Sequence, residues 1–357
     1  MMPVFLFRCF IVLALVTISL SPQDGYADDQ DRSSAQARST PTSNKASSGE
    51  KTPGQTGKPQ SVTREFEFRY AGAITELEPQ TEVSVWLPIA IDSTEQKILD
   101  RKILVPHAFT LSTDPTYGNQ ILHFHAKADD AGEIPFEITY RVQRNPVKKN
   151  QGPKYSQDAS NKFLTGSKYV PINRNLSAEV LGETRVSKDS MIAAREIYDA
   201  INRRMKYDKP ANQGWGRGDS VWACDSRYGN CTDFHSLFIS LCREQNLPAR
   251  FEIGFPISLE QTQGTVAGYH CWAKFAARQR WISVDISEAN KEPALADYYF
   301  GNLPPDRITF SIGRDLQLSP AQSEGPVNFL IYPYAEVSGR THTKFRKDFH
   351  FEHITPK

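Results

Sequence analysis

Cysteine is scarce in this chain of 357 residues, with five in all. Cys9 falls in the leader described below, which leaves Cys224, Cys231, Cys242 and Cys271 in the remainder. No Cys-x-x-Cys knuckle occurs, so the irregular set Cys224, Cys231, His235 and His270 argues against a zinc site, and neither metal nor cofactor is expected. Excess charge of one sign is also missing. The formal net charge is +1, and pairs such as Lys148-Lys149 and Arg203-Arg204 are short and interspersed with acids, so nothing points to nucleic acid. An uninterrupted membrane-spanning run is absent too: Arg8 breaks the apolar stretch from Val4 to Leu20. Arg8, the apolar run Ile11-Val12-Leu13-Ala14-Leu15-Val16 after it and Gly25-Tyr26-Ala27 before Asp28 have the pattern of a secretory signal peptide over residues 1–27, and no lipid-accepting cysteine follows the run, since Cys9 precedes it. The expected location is periplasmic or secreted, with no membrane span after cleavage.

Residues 28–61 lack large apolar side chains and are rich in Ser, Thr, Gln, Gly, Pro and Lys. Such a segment buries too little surface to offset its ordering entropy and is expected to be a disordered linker. From 62 to 145 short alternating runs follow one another: Phe66, Phe68, Tyr70; Val83, Val85, Leu87; Phe136, Ile138, Tyr140, Val142. Prolines punctuate them. The pattern predicts an all-β, sandwich-like domain, with a protein partner conceivable on it. His123 and His125 share a strand face there, and without a third ligand they are expected on a solvated face.

A second domain is expected over 160–340. Its first helix is predicted to start near Ser187, with Met191, Ala194, Ile197, Tyr198 and Ile201 at helical spacing. The stretch 208–227, carrying Gly214, Gly216, Gly218, Trp215 and Trp222 without periodicity, reads as a loop. Then Tyr228-Gly229-Asn230-Cys231-Thr232-Asp233 runs from a tight turn into the apolar positions Phe234, Leu237, Phe238 and Leu241 of an amphipathic helix. Cys231 therefore stands at a helix N-terminus, where unpaired N–H groups and the helix dipole favour a thiolate. Residues 269–275 and 281–286 read as a β-hairpin around the turn 276–280. A hairpin centred near 277 and 278 sets His270 directly opposite Asp285, where Cβ atoms lie ~5 Å apart. A nucleophile, a base and a carboxylate that orients the base are the groups acyl transfer requires. Cys231, His270 and Asp285 are accordingly the candidate catalytic residues.

The same segments, Tyr228 to Phe238, Leu247-Pro248-Ala249-Arg250, Gly268-Tyr269-His270-Cys271-Trp272-Ala273-Lys274-Phe275 and Trp281-Ile282-Ser283-Val284-Asp285, resemble the core of the bacterial transglutaminase-like superfamily. Ser287-Glu288-Ala289, Tyr298-Tyr299-Phe300-Gly301 and Asp306-Arg307-Ile308 extend the likeness. The resemblance implies an α+β, papain-like transglutaminase-type fold, in which a Cys-bearing helix packs on an antiparallel sheet carrying His and Asp. It also implies a cysteine peptidase or amidase working through an acyl-thioester on a peptide or protein amide. Animal transglutaminases have Gln and Trp around the nucleophile where Asn230 and Thr232 stand here, so protein cross-linking is not implied. Glutamine–amine cross-linking and a catalytically silent envelope-binding module remain the alternatives. Tyr207, Trp215 and Trp222 are candidates for a second oxyanion donor beside the Cys231 N–H. With Cys231 free, Cys224 with Cys271 is the one disulfide worth entertaining.

Overall fold

The computed structural model describes residues 62–156, 161–172, 174–182 and 186–354. The expected signal peptide and linker lie outside the described residues. The first stretch folds as predicted into short antiparallel strands: β1 (Arg64–Ile74), β2 (Glu82–Ile89), β3 (Gln96–Leu104), β4 (Phe109–Thr113), β5 (Gln120–Lys127) and β6 (Ile134–Arg144). Because side chains alternate across a strand, Phe66, Phe68 and Tyr70 of β1 and Phe136, Ile138, Tyr140 and Val142 of β6 all turn into one core.

These strands do not close the sandwich by themselves. One sheet has the order β10-β16-β1-β6-β3 and the other β15-β14-β2-β5-β4. The added strands come from later in the chain: β10 (Gln263–Thr265), β14 (Tyr334–Val337), β15 (Arg340–His342) and β16 (Phe345–His353). β16 runs antiparallel to β1 from Phe66↔His353 to Ile74↔Phe345 and brings Phe349 and Phe351 into the core. A boundary at residue 145 thus follows chain order, whereas the sheets draw on both ends of the chain. Gln261-Thr262-Gln263-Gly264 also runs into a sheet edge, with Gly264 paired to Phe351. His123 is buried, against the expectation of a solvated face. The segment 316–330 covers that face of β2 and β5, with the Trp86 indole N–H donating to Pro320 O at 2.9 Å, and the His123 ring lies 4.7 Å from Trp86.

Between these strands lie the helices α1 (Arg174–Leu181), α2 (Ser190–Arg204), α3 (Ser220–Ser226) and α4 (Cys231–Glu244), and beyond them α5 (Ile286–Lys291) and α6 (Ala296–Tyr299). The N-cap of α2 is Asp189, not Ser187: the Asp189 carboxylate accepts from Met191 N and Ile192 N, and Ser187 Oγ accepts from Asp189 N one step earlier. A third sheet, of order β12-β11-β9-β13, consists of β9 (Ala249–Pro256), β11 (His270–Ala277), β12 (Arg280–Val284) and β13 (Arg307–Ile312). Helix α4 is buried along almost its whole length against β11 and β9. The other face of this sheet meets the sandwich through Lys274, which pairs with Glu95 at 2.8 Å, and at the far end of β9 Phe255 stacks on Phe68 at 5.2 Å while Phe310 of β13 lies 5.4 Å from Tyr70. Every residue of β11 is consequently buried. The α+β class and the helix packed on an antiparallel sheet agree with the sequence reading.

Candidate active site

Cys231 is the first residue of α4, and two acceptors secure that helix end. The Asn230 side chain accepts from Thr232 N at 2.9 Å, and Asp233 accepts from Asn230 N at 2.9 Å, completing a capping box. The second Asp233 oxygen accepts from Gly218 N at 3.0 Å, tying the preceding loop to the base of the helix. Gly216 and Gly229 pack so closely on the Asp233 side chain that a Cβ at either position would overlap it. The short strands β7 (Lys206–Tyr207) and β8 (Tyr228–Gly229) pair parallel and carry the chain into this turn. The stretch read as a loop over 208–227 thus contains α3, capped by Asp219.

His270 opens β11, and Asp285 is not its directly opposed partner. The hairpin turns tightly at Arg278 and Gln279, with φ of 49° and 57°, so Ala277 pairs with Arg280 and Ala273 with Val284. This register is two residues away from the expected one, and it places Asp285 beyond the end of β12 as the N-cap of α5. An even displacement keeps every side chain on its own face. His270 Nε2 still meets Asp285 Oδ2 at 2.7 Å. Asp285 Oδ1 accepts from Ser287 Oγ at 2.9 Å and from Glu288 N at 3.2 Å, while Arg307 Nη1 donates to Oδ2 at 2.9 Å. The Cys231 thiol interacts with both His270 and Cys271. Cys231, His270 and Asp285 are thereby brought together, with exposures of 1%, 7% and 0%.

The charges follow from these contacts. Burial works against a Cys231 thiolate but is outweighed by the hydrogen bonds from Cys271 and His270 and by the His270 charge, which hold the thiol well below its usual range. Burial also opposes an imidazolium at His270, yet the Asp285 carboxylate and Cys231 push it up to about 10. Asp285 lies well below the usual carboxylate range, held there against its burial chiefly by His270 and then by Arg307. His235 behaves differently. Its Nδ1 faces Cys231 O at 2.7 Å and so donates, and its Nε2 accepts from Ile286 N at 3.1 Å, which leaves a neutral ring braced between two helix starts, depressed by burial. Both of its nitrogens are engaged, so it offers no ligand to a metal.

Around this centre, Glu288 Oε1 lies 3.9 Å from His270 Nε2 and pairs with Lys291 Nζ at 2.7 Å. Lys291 in turn sits 3.9 Å from the centre of the Tyr207 ring. The Tyr207 phenol is raised by burial and by the Cys231 charge, and so keeps its proton. Trp215 packs on Tyr207 at 5.8 Å, and Trp222 packs edge-on against Tyr228 at 5.2 Å. His270, Asp285 and Glu288 have ligand atoms close enough to hold a cation, but Arg307 and Lys291 already neutralise those carboxylates. Cys224 and Cys271, the pair entertained for a disulfide, are both free thiols in separate settings: Arg204 lies against Cys224, whereas Cys271 Sγ stands 3.5 Å from His235 Nδ1.

Sequence reasoning gave no role in the site to Arg307 or Asp233, and considered Cys271 only for a disulfide. A signal existed for the position of Asp285, since Asp285 and Glu288 have the spacing of a helix start. Arg307 left only a weak one, a charge at the head of an otherwise apolar strand.

Residues 175–286 match the family model of the transglutaminase-like superfamily core. This segment is a transglutaminase-like core. An uncharacterised protein of Haemophilus influenzae is 29% identical over 178 residues, covering 40% of this chain and 48% of that protein, so the chain spans about half the length of the curated relative it matches. Among solved structures, a protein of Cytophaga hutchinsonii provisionally assigned as a cysteine protease aligns over 83% of this chain and 93% of its own, with a TM-score of 0.53 at 15% identity, a likeness of fold. The matched segment contains the Cys-bearing helix, the strand that His270 opens and the helix cap Asp285, whereas Arg307 lies beyond it. Among the described residues no helix is long and apolar enough to cross a membrane.

Proposed function

We propose that this protein is an exported, cysteine-dependent amide or peptide hydrolase of transglutaminase-like type, with Cys231 as nucleophile, His270 as acid and base, and Asp285 as the group that orients His270. One observation carries the reading: the Cys231 thiol, held well below its usual range, interacts with a histidine that is itself 2.7 Å from a buried carboxylate. Asp285 holds Nε2, which leaves Nδ1 to face the sulfur.

In the reaction the Cys231 thiolate attacks an amide carbonyl, forming a C–S bond. His270 passes its proton to the leaving nitrogen as the C–N bond breaks, and an acyl-thioester remains. Water then adds, giving a proton back to His270, and the C–S bond breaks to release the acid. The Cys231 N–H at the start of α4 supplies one oxyanion donor, a group that typically contributes ~3 to 4 kcal/mol. Tyr207 suits the second role because its phenol stays protonated beside the sulfur. The exposed polar residues Asn212, Gln213 and Arg217, on either side of the Trp215 that packs on Tyr207, favour water over amine as acceptor.

The test is alkylation followed by cleavage mapping. Iodoacetamide at pH 6 to 7 is expected to label Cys231 well ahead of Cys242 and Cys271, whose thiols burial pushes up. The full chain, incubated with a peptide library and a labelled primary amine, is expected to yield hydrolysed peptides that Cys231→Ala does not produce. Dominant amine adducts would favour a transferase, and no product with slow Cys231 labelling would favour a silent binding module.

A further inference from the structure

We infer that Arg307, outside the matched core, is a positioning residue of this site: it clamps Asp285 so that the carboxylate stays ionised and aimed at His270. The inference rests on the proposed roles of Cys231, His270 and Asp285. Arg307 is 1% exposed, and its guanidinium is held on three sides. Nη1 donates to Asp285 Oδ2 at 2.9 Å, Nε donates to Asp306 Oδ1 at 2.9 Å, and the plane lies 4.9 Å from the centre of the Trp272 ring. The sheet explains how it reaches so far. β13 and β11 flank β9, with Arg307 opposite Pro256 and His270 opposite Gly254, all on one face. Gly254, standing between them, has no side chain to block the way.

A buried ion pair that merely neutralised charge would need no particular oxygen. Arg307 instead shares Oδ2 with His270, while Oδ1 takes Ser287 Oγ and Glu288 N. Four donors surround one carboxylate, so a proton has no favourable place on it. During turnover His270 alternates between imidazolium and neutral ring. Whenever it is neutral, Arg307 still compensates Asp285, so Nε2–H keeps an ionised acceptor and proton exchange is confined to the nitrogen facing Cys231. Charged and titratable groups around His270 are Cys231 and His235 on α4, Glu288 and Lys291 on α5 beside Asp285, Tyr207 on β7, and Arg307 itself.

The experiment needs no substrate. Thiolate absorbance at 240 nm is titrated in the full chain, with Cys231→Ser as the blank, and iodoacetamide labelling is timed at pH 6. Removing a cation makes every nearby proton bind more tightly, so Arg307→Met is expected to raise the Cys231 midpoint by about half a pH unit or more and to slow labelling about threefold. Arg307→Lys, which keeps the charge, is expected near the wild-type midpoint. A folded Arg307→Met that titrates and labels like wild type overturns the inference. If Arg307→Met does not fold, Arg307→Gln beside Arg307→Lys decides: a raised midpoint only in Gln supports the clamp, and equal wild-type midpoints overturn it. Absence of a Cys231-dependent thiolate in the wild-type protein would instead sink the underlying reading of the site.

Discussion

Cys231 and His270 have opposite shifts, and their sum has a consequence for stability. The histidine is raised from 6.5 to about 10, so on its own it stabilises the fold fully below pH 6.5 and loses that contribution as pH climbs towards about 10. The thiol is lowered from 9.0, so its contribution is complete only above pH 9.0 and is lost as pH falls through its depressed value. Between 6.5 and 9.0 the folded pair holds one proton, on His270, and the unfolded pair also holds one, on Cys231. The pair therefore adds no slope in that window. In Cys231→Ser the histidine term stands alone, and unfolding free energy is expected to fall with pH above 6.5 relative to wild type, by at most about 1.4 kcal/mol per unit. Urea denaturation at several pH values from 6.5 to 9.0 checks this, and parallel slopes for the two proteins would contradict the thiolate–imidazolium pair.

At the scale of elements, the β11–β12 hairpin controls where Asp285 falls, and its turn is made of two residues poorly suited to it. Arg278 and Gln279 both occupy the left-handed region, which a two-residue turn of this hand demands and which favours Asn and Gly. Both side chains are exposed, while Gln279 contributes its carbonyl to Tyr155 N at 2.9 Å, a bond any residue can make. Replacing the pair by Asn-Gly is expected to stabilise the protein by about 1 kcal/mol, the strain relieved less the added chain entropy. The midpoint of chemical denaturation should rise with activity unchanged. A loss of stability would mean that the long side chains pack in solution.

For the whole molecule the telling feature is the charged joint between the sandwich and the sheet β12-β11-β9-β13. Lys274 Nζ on β11 pairs with Glu95 at 2.8 Å and Glu252 at 3.3 Å, and Glu252 also accepts from the Trp272 indole at 2.8 Å and from Arg250 at 2.5 Å. All are largely removed from solvent. Lys274→Met leaves Glu95 buried without its nearest cation and is expected to cost roughly 3 to 5 kcal/mol, whereas adding Glu95→Leu restores much of the loss because a buried pair replaced by apolar side chains is far less costly than a broken one. Denaturation of the two single variants and the double variant closes the cycle, and additive losses would show that Glu95 and Lys274 act independently.

What the sequence determined by itself is what neighbours along the chain encode. Alternation placed Phe66, Phe68 and Tyr70 in a sandwich core, and a Gly-Asn turn before apolar helical spacing put Cys231 at the start of a helix. The separation of His270 and Asp285 on one hairpin brought them within reach under either register, since a displacement by two preserves the face. Tertiary structure decided the rest, because it depends on strands that only meet once folded. β16 completes the sheet that β1 begins, some 280 residues earlier in the chain. Packing on both faces of β11 buried His270 and Trp272 along with Cys271, which alternation alone sorts into an inner and an outer set. The neutral form of His235 and the clamp of Arg307 on Asp285 follow from contacts across 51 and 22 residues, and no local pattern announces a partner at such a distance.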